Sequence, residues 1–216
     1  MTERFVQALP GAPVREVVSW ELFDTHAFAN NGTTTVLVFF LNPNQASPLT
    51  SNMHSSGQLS TPQQMDVYGL AVEIFPDWDD DFDHGIRQNW AAEKKKIRET
   101  AWLQFQVGEK SYLTLPLLSI PEGMGGAGPT AGADDTTGAV NEIVLTFGTQ
   151  DVKHYYPVSV PIQGVADPVE IVTQQGFKVT ITWDTGTVPN LSETGRSGIT
   201  AQVRVYLVGQ LWRGVQ

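Results

Sequence analysis

The chain has 216 residues, of which 41% are hydrophobic and 17% are charged, and it contains no cysteine. This composition indicates a globular protein that folds without disulfides, and it excludes thiolate metal sites and cysteine nucleophiles. The formal net charge of −10 argues against a basic arm that wraps nucleic acid, so we expect no direct nucleic-acid binding. The first residues lack the apolar core of a signal peptide, which predicts synthesis and folding in the cytoplasm.

The first part of the chain predicts an arm followed by strands. Residues 1–14 contain prolines and no sustained period, which is typical of an extended arm. Val14–Phe28 contains an alternating strand, and the β-branched and aromatic segment Thr33–Leu41 predicts a buried strand. The polar residues 44–61 predict a surface loop, and Gln64–Phe75 predicts the next strand.

The next segment interrupts the strand pattern. Apolar residues recur there at spacings of three or four, with acidic residues at the start and basic residues toward the end, which predicts one helix over about residues 79–100. We interpret it as an insertion between strands. The lysine run Lys94–Lys96 could contact nucleic acid or acidic lipid, but the neighbouring Glu93 and Glu99 favour a solvated helix face.

Further strands follow the predicted helix. Trp102–Val107 and Ser111–Ile120 predict a hairpin, in which Pro116 favours an edge position or a bulge. The glycine-rich segment Pro121–Asn141 has the composition of a flexible loop, and Glu142–Gly148 predicts another strand.

The last part of the chain has the clearest alternation. Gly176–Asp184 predicts one strand, and Gly198–Gly209 predicts a final strand with one apolar and one mostly polar face. A late strand of this kind needs partners that are already in place, so we expect Ile199–Leu207 to lie beside Val17–Phe23. Leu211–Gln216 is predicted to emerge as a tail.

Many short alternating strands predict two packed antiparallel sheets. The length and the long loops favour an all-β, antiparallel, eight-stranded jelly-roll sandwich with the one inserted helix. The predicted organisation is an N-terminal arm over residues 1–14 and a single jelly-roll domain over residues 15–216.

One acidic cluster could bind a metal. Asp79, Asp81 and Asp83 have the spacing that begins an EF-hand calcium loop. The pattern fails where a glycine is required, since His84 stands there, and at the twelfth position, which is Trp90. We therefore interpret these carboxylates as the acidic start of a helix and predict no metal site, while keeping the three aspartates as candidates.

No pattern in the sequence predicts catalysis. The four histidines are scattered, without the His-x-His pair of a metal-dependent jelly-roll enzyme, and no serine-hydrolase, zinc-protease, phosphate-loop or dinucleotide motif is present. We predict no catalytic residue, no cofactor and no enzymatic activity; stoichiometric zinc or iron would revive the enzyme alternative.

Aromatic residues offer a second alternative. Trp78, Trp90, Tyr155 and Tyr156 could form a platform on which sugars stack, although core or subunit contacts are favoured. They keep open a carbohydrate-binding or receptor-binding β-sandwich module.

Three stretches together resemble the single jelly-roll capsid proteins of tailless icosahedral phages and related viruses. They are Gln58–Val72 with its Pro-Gln lead into a strand, Val107–Gly123, and Tyr156–Ile162 continuing through residues 177–184 to Val205–Gln216. The resemblance is one of order and style over residues 14–216. It implies a bacteriophage-type virion shell subunit that is made in the host cytoplasm and self-assembles into trimers or other capsomers of an icosahedral particle.

The resemblance also implies partners. They are other copies of the chain, other capsid proteins and, often in such viruses, an internal membrane. The missing basic arm departs from small RNA-virus shells and agrees with a genome that is packaged separately or lined by lipid. Residues 1–14, 44–61 and 123–141 are the segments expected to contact neighbouring subunits.

Overall fold

The computed structural model describes residues 4–6, 14–29, 32–43, 47–76, 94–121, 155–158, 160–162, 165–190 and 201–214. Within these ranges antiparallel strands dominate, which confirms the predicted all-β class. The twelve strands are β1 Arg4–Val6, β2 Arg15–Phe28, β3 Val36–Phe39, β4 Gln64–Pro76, β5 Ala101–Val107, β6 Lys110–Pro116, β7 Tyr156–Pro157, β8 Val160–Ile162, β9 Val165–Asp167, β10 Val169–Ile171, β11 Phe177–Trp183 and β12 Ala201–Gly214. A short helix, α1, covers residues 94–99, and Leu117–Ser119 forms one turn of 3-10 helix.

The strands form two main sheets. The first sheet has the order β1-β2-β12-β4-β10, with β7 also paired to β4. The second sheet has the order β3-β11-β5-β6, while β8 and β9 form a separate hairpin. Every described pair is antiparallel.

The pairing between strands is nested. Strand β2 pairs with β12, β3 with β11, β4 with β10, and β5 with β6. These four pairs correspond to one long hairpin that has been bent over, with its two arms running side by side. Two further pairs, β12 with β4 and β11 with β5, join the nested pairs into the two sheets.

The two sheets share one core. Phe28 of β2 packs against Trp183 of β11 with ring centroids 5.0 Å apart, and both side chains are fully buried. Val203 and Val205 of β12 have no exposed surface, as their positions on the apolar face of the alternating strand predict. Burial of these side chains from both sheets supplies the main driving force for folding.

The predicted pairing of the last strand with the first long strand is confirmed, but its range is shifted: residues 17–21 lie opposite residues 208–212, and residues 201–205 lie opposite residues 24–28. Strand β12 pairs along its whole length with β2, and Leu207 lies opposite Leu22. The predicted tail is wrong for residues 211–214, which continue β12 between β2 and β4. Leu211 is only 4% exposed, so its burial holds this end of the strand in the sheet.

Gly209 marks a bulge and not the end of the strand. The register between β12 and β4 shifts between Val208 and Gly209. A Cβ atom at Gly209 would lie 2.0 Å from the carbonyl oxygen of Asp66, so only glycine allows β4 to approach this closely.

The predicted helix is described only in part. Helix α1 covers residues 94–99, and residues 79–93 of the predicted range lie outside the described residues. The side chain of Ile97 is fully buried. The guanidinium of Arg98 donates to the carbonyls of Leu117, Leu118 and Ile120, which fastens α1 to the turn after β6.

Two predicted boundaries need correction. The polar segment 44–61 is not simply a surface loop, because Met53 and Leu59 are buried and Asn52 bonds to the backbone of β2 at Phe23 and Glu21. The predicted strand Ser111–Ile120 ends at Pro116, where the chain turns into the 3-10 helix. The predicted loop Pro121–Asn141 beyond Pro121 and the predicted strand Glu142–Gly148 lie outside the described residues.

Candidate interaction face

The outward surface of the second sheet is the candidate functional site. Alternation along β5 and β11 sends one set of side chains into the core and the other set outward. We call the outward set the carboxylate-free face. Its members are Val36 and Val38 from β3, Lys178, Thr180 and Thr182 from β11, Trp102, Gln104 and Gln106 from β5, and Ser111, Thr114 and Pro116 from β6.

An apolar row crosses this face. Thr182 lies opposite Val36 on one side and Trp102 on the other, and Trp102 lies opposite Pro116. Val36 is 46% exposed and Trp102 is 40% exposed, which is high for side chains of this kind. The row therefore presents apolar surface across all four strands at one end of the face.

The charge on this face differs from that of the chain. Within the four strands its members include no aspartate or glutamate and a single cation, Lys178, although the chain carries a net charge of −10; the exposed Asp184 follows directly after β11. The polar side chains bond to one another: Gln104 Nε2 donates to Ser111 Oγ at 3.3 Å, and Ser111 and Thr114 hydroxyls are 3.3 Å apart. Since their hydrogen bonds are made within the face, covering these groups carries a smaller desolvation penalty.

The outward surface of the first sheet carries charges that are paired internally. The guanidinium of Arg204 lies between the rings of Phe23 and Phe75, 5.2 and 5.0 Å from their centroids. The Tyr206 hydroxyl donates to Glu73 at 2.7 Å, while the ion pair of Arg213 with Glu16 lies on the inward side, beside Leu211 and Val18. These groups stabilise the sheet, and because they are already paired they have fewer hydrogen-bonding groups available for a partner protein.

Tyr206 belongs to this network and is only 8% exposed. Burial raises the pKa of its hydroxyl to about 12; the hydrogen bond to Arg204 opposes this shift and the bond to Glu73 adds to it. The phenol therefore stays protonated and acts as a donor over the whole physiological range.

Asp24 is fully buried and holds a strained turn. Its carboxylate accepts a 2.8 Å bond from the backbone N–H of Phe40 and lies 2.9 Å from Nε2 of His26. Phe40 has φ of +68°, which is unfavourable for a bulky residue, so the bond from Asp24 stabilises that conformation. The phenyl ring of Phe40 packs on Phe177, 5.6 Å between centroids, which gives this group a structural role.

The candidate metal ligands Asp79, Asp81 and Asp83 lie outside the described residues, so the structure does not bring them together or separate them. In the described ranges, no three histidine, aspartate or glutamate side chains form a group that could hold a metal ion. His54 is exposed, and His84 and His154 are outside those ranges.

The predicted aromatic platform is only partly described. Trp78 and Trp90 lie outside the described residues, while Tyr156 is partly buried and packs against the core. Tyr155 is 41% exposed and lies over the backbone of Gly69, where a Cβ atom would be 1.9 Å from the tyrosine ring. Among the described tryptophans Trp102 is the exposed one. The sequence assigned it to a strand but not to a site, and its outward position in the alternation was the available signal.

The lysine run at the start of α1 is solvated, as its neighbours predict. Lys95 and Lys96 are exposed, and Lys95 Nζ lies 3.5 Å from Glu99 in an i,i+4 pair.

One cavity lies between the end of the first sheet and the segment that follows β3. Its volume is about 130 Å³, and Trp20, Leu22, Met53 and Leu211 form much of its apolar lining. Ligand pockets usually measure roughly 300 Å³ or more, so this cavity favours a packing gap over a small-molecule site. No helix within the described ranges is both long and apolar enough to cross a bilayer.

Comparisons with protein-family models, with curated proteins and with solved structures found no match to this chain.

Proposed function

We propose that this protein is a virion structural protein, a shell subunit that assembles with its own copies into the capsomers of an icosahedral capsid. The observation that carries the proposal is the nested pairing of β2 with β12, β3 with β11, β4 with β10 and β5 with β6. In this proposal those eight strands are the jelly roll, and β1 in the arm over residues 1–14 extends the first sheet at the edge formed by β2.

The nested pairing supports the jelly-roll assignment through its geometry. A hairpin of four strands out and four strands back, wrapped around a core, places alternate strands in opposite sheets. The orders β2-β12-β4-β10 and β3-β11-β5-β6 have that form. Jelly rolls occur in viral capsid proteins, in lectins and in metal-dependent cupin enzymes, so a capsid role is compatible with this fold.

The outward surfaces favour a shell subunit among these classes. A closed shell of identical subunits needs repeated lateral contacts, and copies of a chain with a net charge of −10 repel one another. The carboxylate-free face offers a contact without that repulsion. The inward-facing side chains of the strands are mostly apolar and supply few groups for catalysis, which disfavours an enzyme of the cupin class.

Electron microscopy and light scattering of the purified chain test this proposal across protein concentration and ionic strength. We expect capsomer-sized species, with larger particles at high salt, because salt screens the repulsion between acidic subunits. A protein that stays monomeric at high concentration, with or without salt, would contradict the shell role.

A carbohydrate-binding or receptor-binding module is the second candidate. The exposed indole of Trp102 beside the hydroxyl of Thr182 and near the amide of Gln104 combines a stacking surface with hydrogen-bonding groups, which is the chemistry that sugars require. A glycan array probed with the native chain and with Trp102→Ala tests it. Binding that the substitution abolishes would favour this candidate over the shell subunit.

A further inference from the structure

We infer that the carboxylate-free face binds a second copy of the same chain, face to face about a two-fold axis, with Lys178 of each copy over the indole of Trp102 of the other. This inference rests on the proposed shell role and names the surface and the residue pair through which two subunits meet.

The choice of a second copy follows from charge. A partner for this face must tolerate an apolar row, a band of neutral hydrogen-bonding groups and one cation, Lys178. Within the described ranges, no carboxylate forms an ion pair with that cation. The same face on a second copy supplies an aromatic surface for Lys178, and the two Lys178 side chains lie at opposite ends of the contact, so the face is complementary to itself. Other parts of the chain carry the acidic charge that makes copies repel.

The two-fold symmetry follows from the positions of the two residues. Lys178 pairs with Gln106, which is four positions along β5 from Trp102. The two side chains are therefore roughly 13 Å apart along the strands and about 5 Å apart across them. An in-plane two-fold axis can exchange these two positions. The strands of the two copies then cross one another at roughly 40°, near the angle of about 30° at which aligned sheets pack. Both copies then form the same cation–π contact, since an isologous interface repeats each contact twice.

The size of the face defines the strength of the contact. Three strands of seven residues and one of four cover about 400 Å² per copy, at roughly 3.3 Å per residue and 4.8 Å between strands. A stable dimer typically buries about 800 Å² on each partner, so this contact is weak alone and suits an assembly in which each subunit makes several.

Sedimentation equilibrium of the 216-residue chain and its variants tests the contact. Lys178→Glu and Trp102→Lys should each weaken self-association at least about tenfold. The first places a carboxylate against the negative face of the indole, and the second removes the ring and opposes two lysines. The double variant Trp102→Lys with Lys178→Glu restores an attractive pair in both directions and should associate within about threefold of the native chain. Lys110→Glu makes the same charge change on the exposed end of β6 and should leave association unchanged.

The outcomes separate this inference from the shell role. Thermal melting of each variant first establishes that it is folded. A double variant as weak as the single ones, or a Lys110→Glu variant as weak as Lys178→Glu, would overturn the inference. Native-like particles from Lys178→Glu would overturn it and leave the shell role intact. Native dimers that follow the predicted variant pattern but never form particles would support it and contradict the shell role. A monomeric native chain that binds glycans through Trp102 would overturn both.

Discussion

The indole N–H of Trp183 donates a 3.0 Å hydrogen bond to the backbone carbonyl of Ile97. Both side chains are buried, so the bond joins the end of β11 to helix α1 inside the core. It explains how a short helix with only one turn and a half is held against the sheets, since α1 has too few residues to be stable by itself.

Replacing Trp183 by phenylalanine tests this link. The change removes the donor and part of the ring that packs on Phe28, so we expect a loss of about 2–4 kcal/mol in the free energy of unfolding. Urea denaturation measures it, with Trp102→Phe on the exposed face as the matched control. The control should lie within about 0.5 kcal/mol of the native chain. Equal effects of the two substitutions would contradict the buried position of Trp183.

Gly209→Ala tests the bulge in β12. The added Cβ atom would lie 2.0 Å from the carbonyl oxygen of Asp66, and a backbone atom of a central strand cannot move away cheaply. We expect a loss of at least about 3 kcal/mol or a failure to fold, measured by thermal melting and soluble yield. Gly176→Ala is the control, because its Cβ would have its nearest neighbour at 3.9 Å. A stable Gly209→Ala protein would show that β4 does not approach β12 as described.

Truncation after Gly209 tests the corrected end of β12. The deletion removes the buried side chain of Leu211, the 2.7 Å bond from Trp212 Nε1 to Asp66 and the ion pair of Arg213 with Glu16. We expect a loss of about 3–5 kcal/mol or more, with Leu211→Ala alone causing about 2–4 kcal/mol. Denaturant titration of both proteins gives the comparison. A truncated protein with native stability would restore the tail that the sequence predicts.

Stability at high pH should depend on Tyr206. Its pKa is raised to about 12 by burial, above the value near 10 of an unfolded chain, so the folded state favours the protonated phenol. The resulting stability is complete below pH 10 and is lost as the pH rises from about 10 to 12. Urea denaturation at several pH values measures the slope in the native chain and in Tyr206→Phe. The variant should lack this part of the slope; identical slopes would show that another group is responsible.

The sequence predicted the late strand well because its signal is local. Strand β12 alternates without interruption, and the burial of Val203 and Val205 follows directly from that period. The predicted end of this strand was wrong because Gly209 was interpreted as a strand terminator. In the structure it allows the close approach of β4, and the sequence alone does not distinguish these two roles of glycine. The difference lies in the backbone of Asp66, which is distant in sequence.

The segment 44–61 was misjudged for a related reason. The segment is polar on average, although the side chains of Met53 and Leu59 are buried. The hydrogen bonds of Asn52 are made to β2, about 30 residues earlier in the chain, and no local pattern predicts them. Composition describes an average, whereas packing depends on single residues and their partners.

The carboxylate-free face was harder to predict from the sequence than strand β12 or the segment 44–61. Each strand shows which of its side chains point together, but the row from Val36 through Thr182 to Trp102 exists only once the strands pair in register. The absence of carboxylates is likewise a property of four strands taken from three parts of the chain. The acidic candidates Asp79, Asp81 and Asp83 were conspicuous because they stand close together in sequence, and they lie outside the described residues.

The nested pairing has a consequence for synthesis on the ribosome. Arg213 of β12 and Glu16 of β2 form an ion pair although they are 197 positions apart. Strand β2 therefore cannot pair with β12 until nearly all of these residues have been synthesised. Contacts of such long range slow folding and expose unpaired strand edges in the interval. A nascent chain of this topology cannot complete either sheet early, so only finished subunits can offer a fully formed surface to one another.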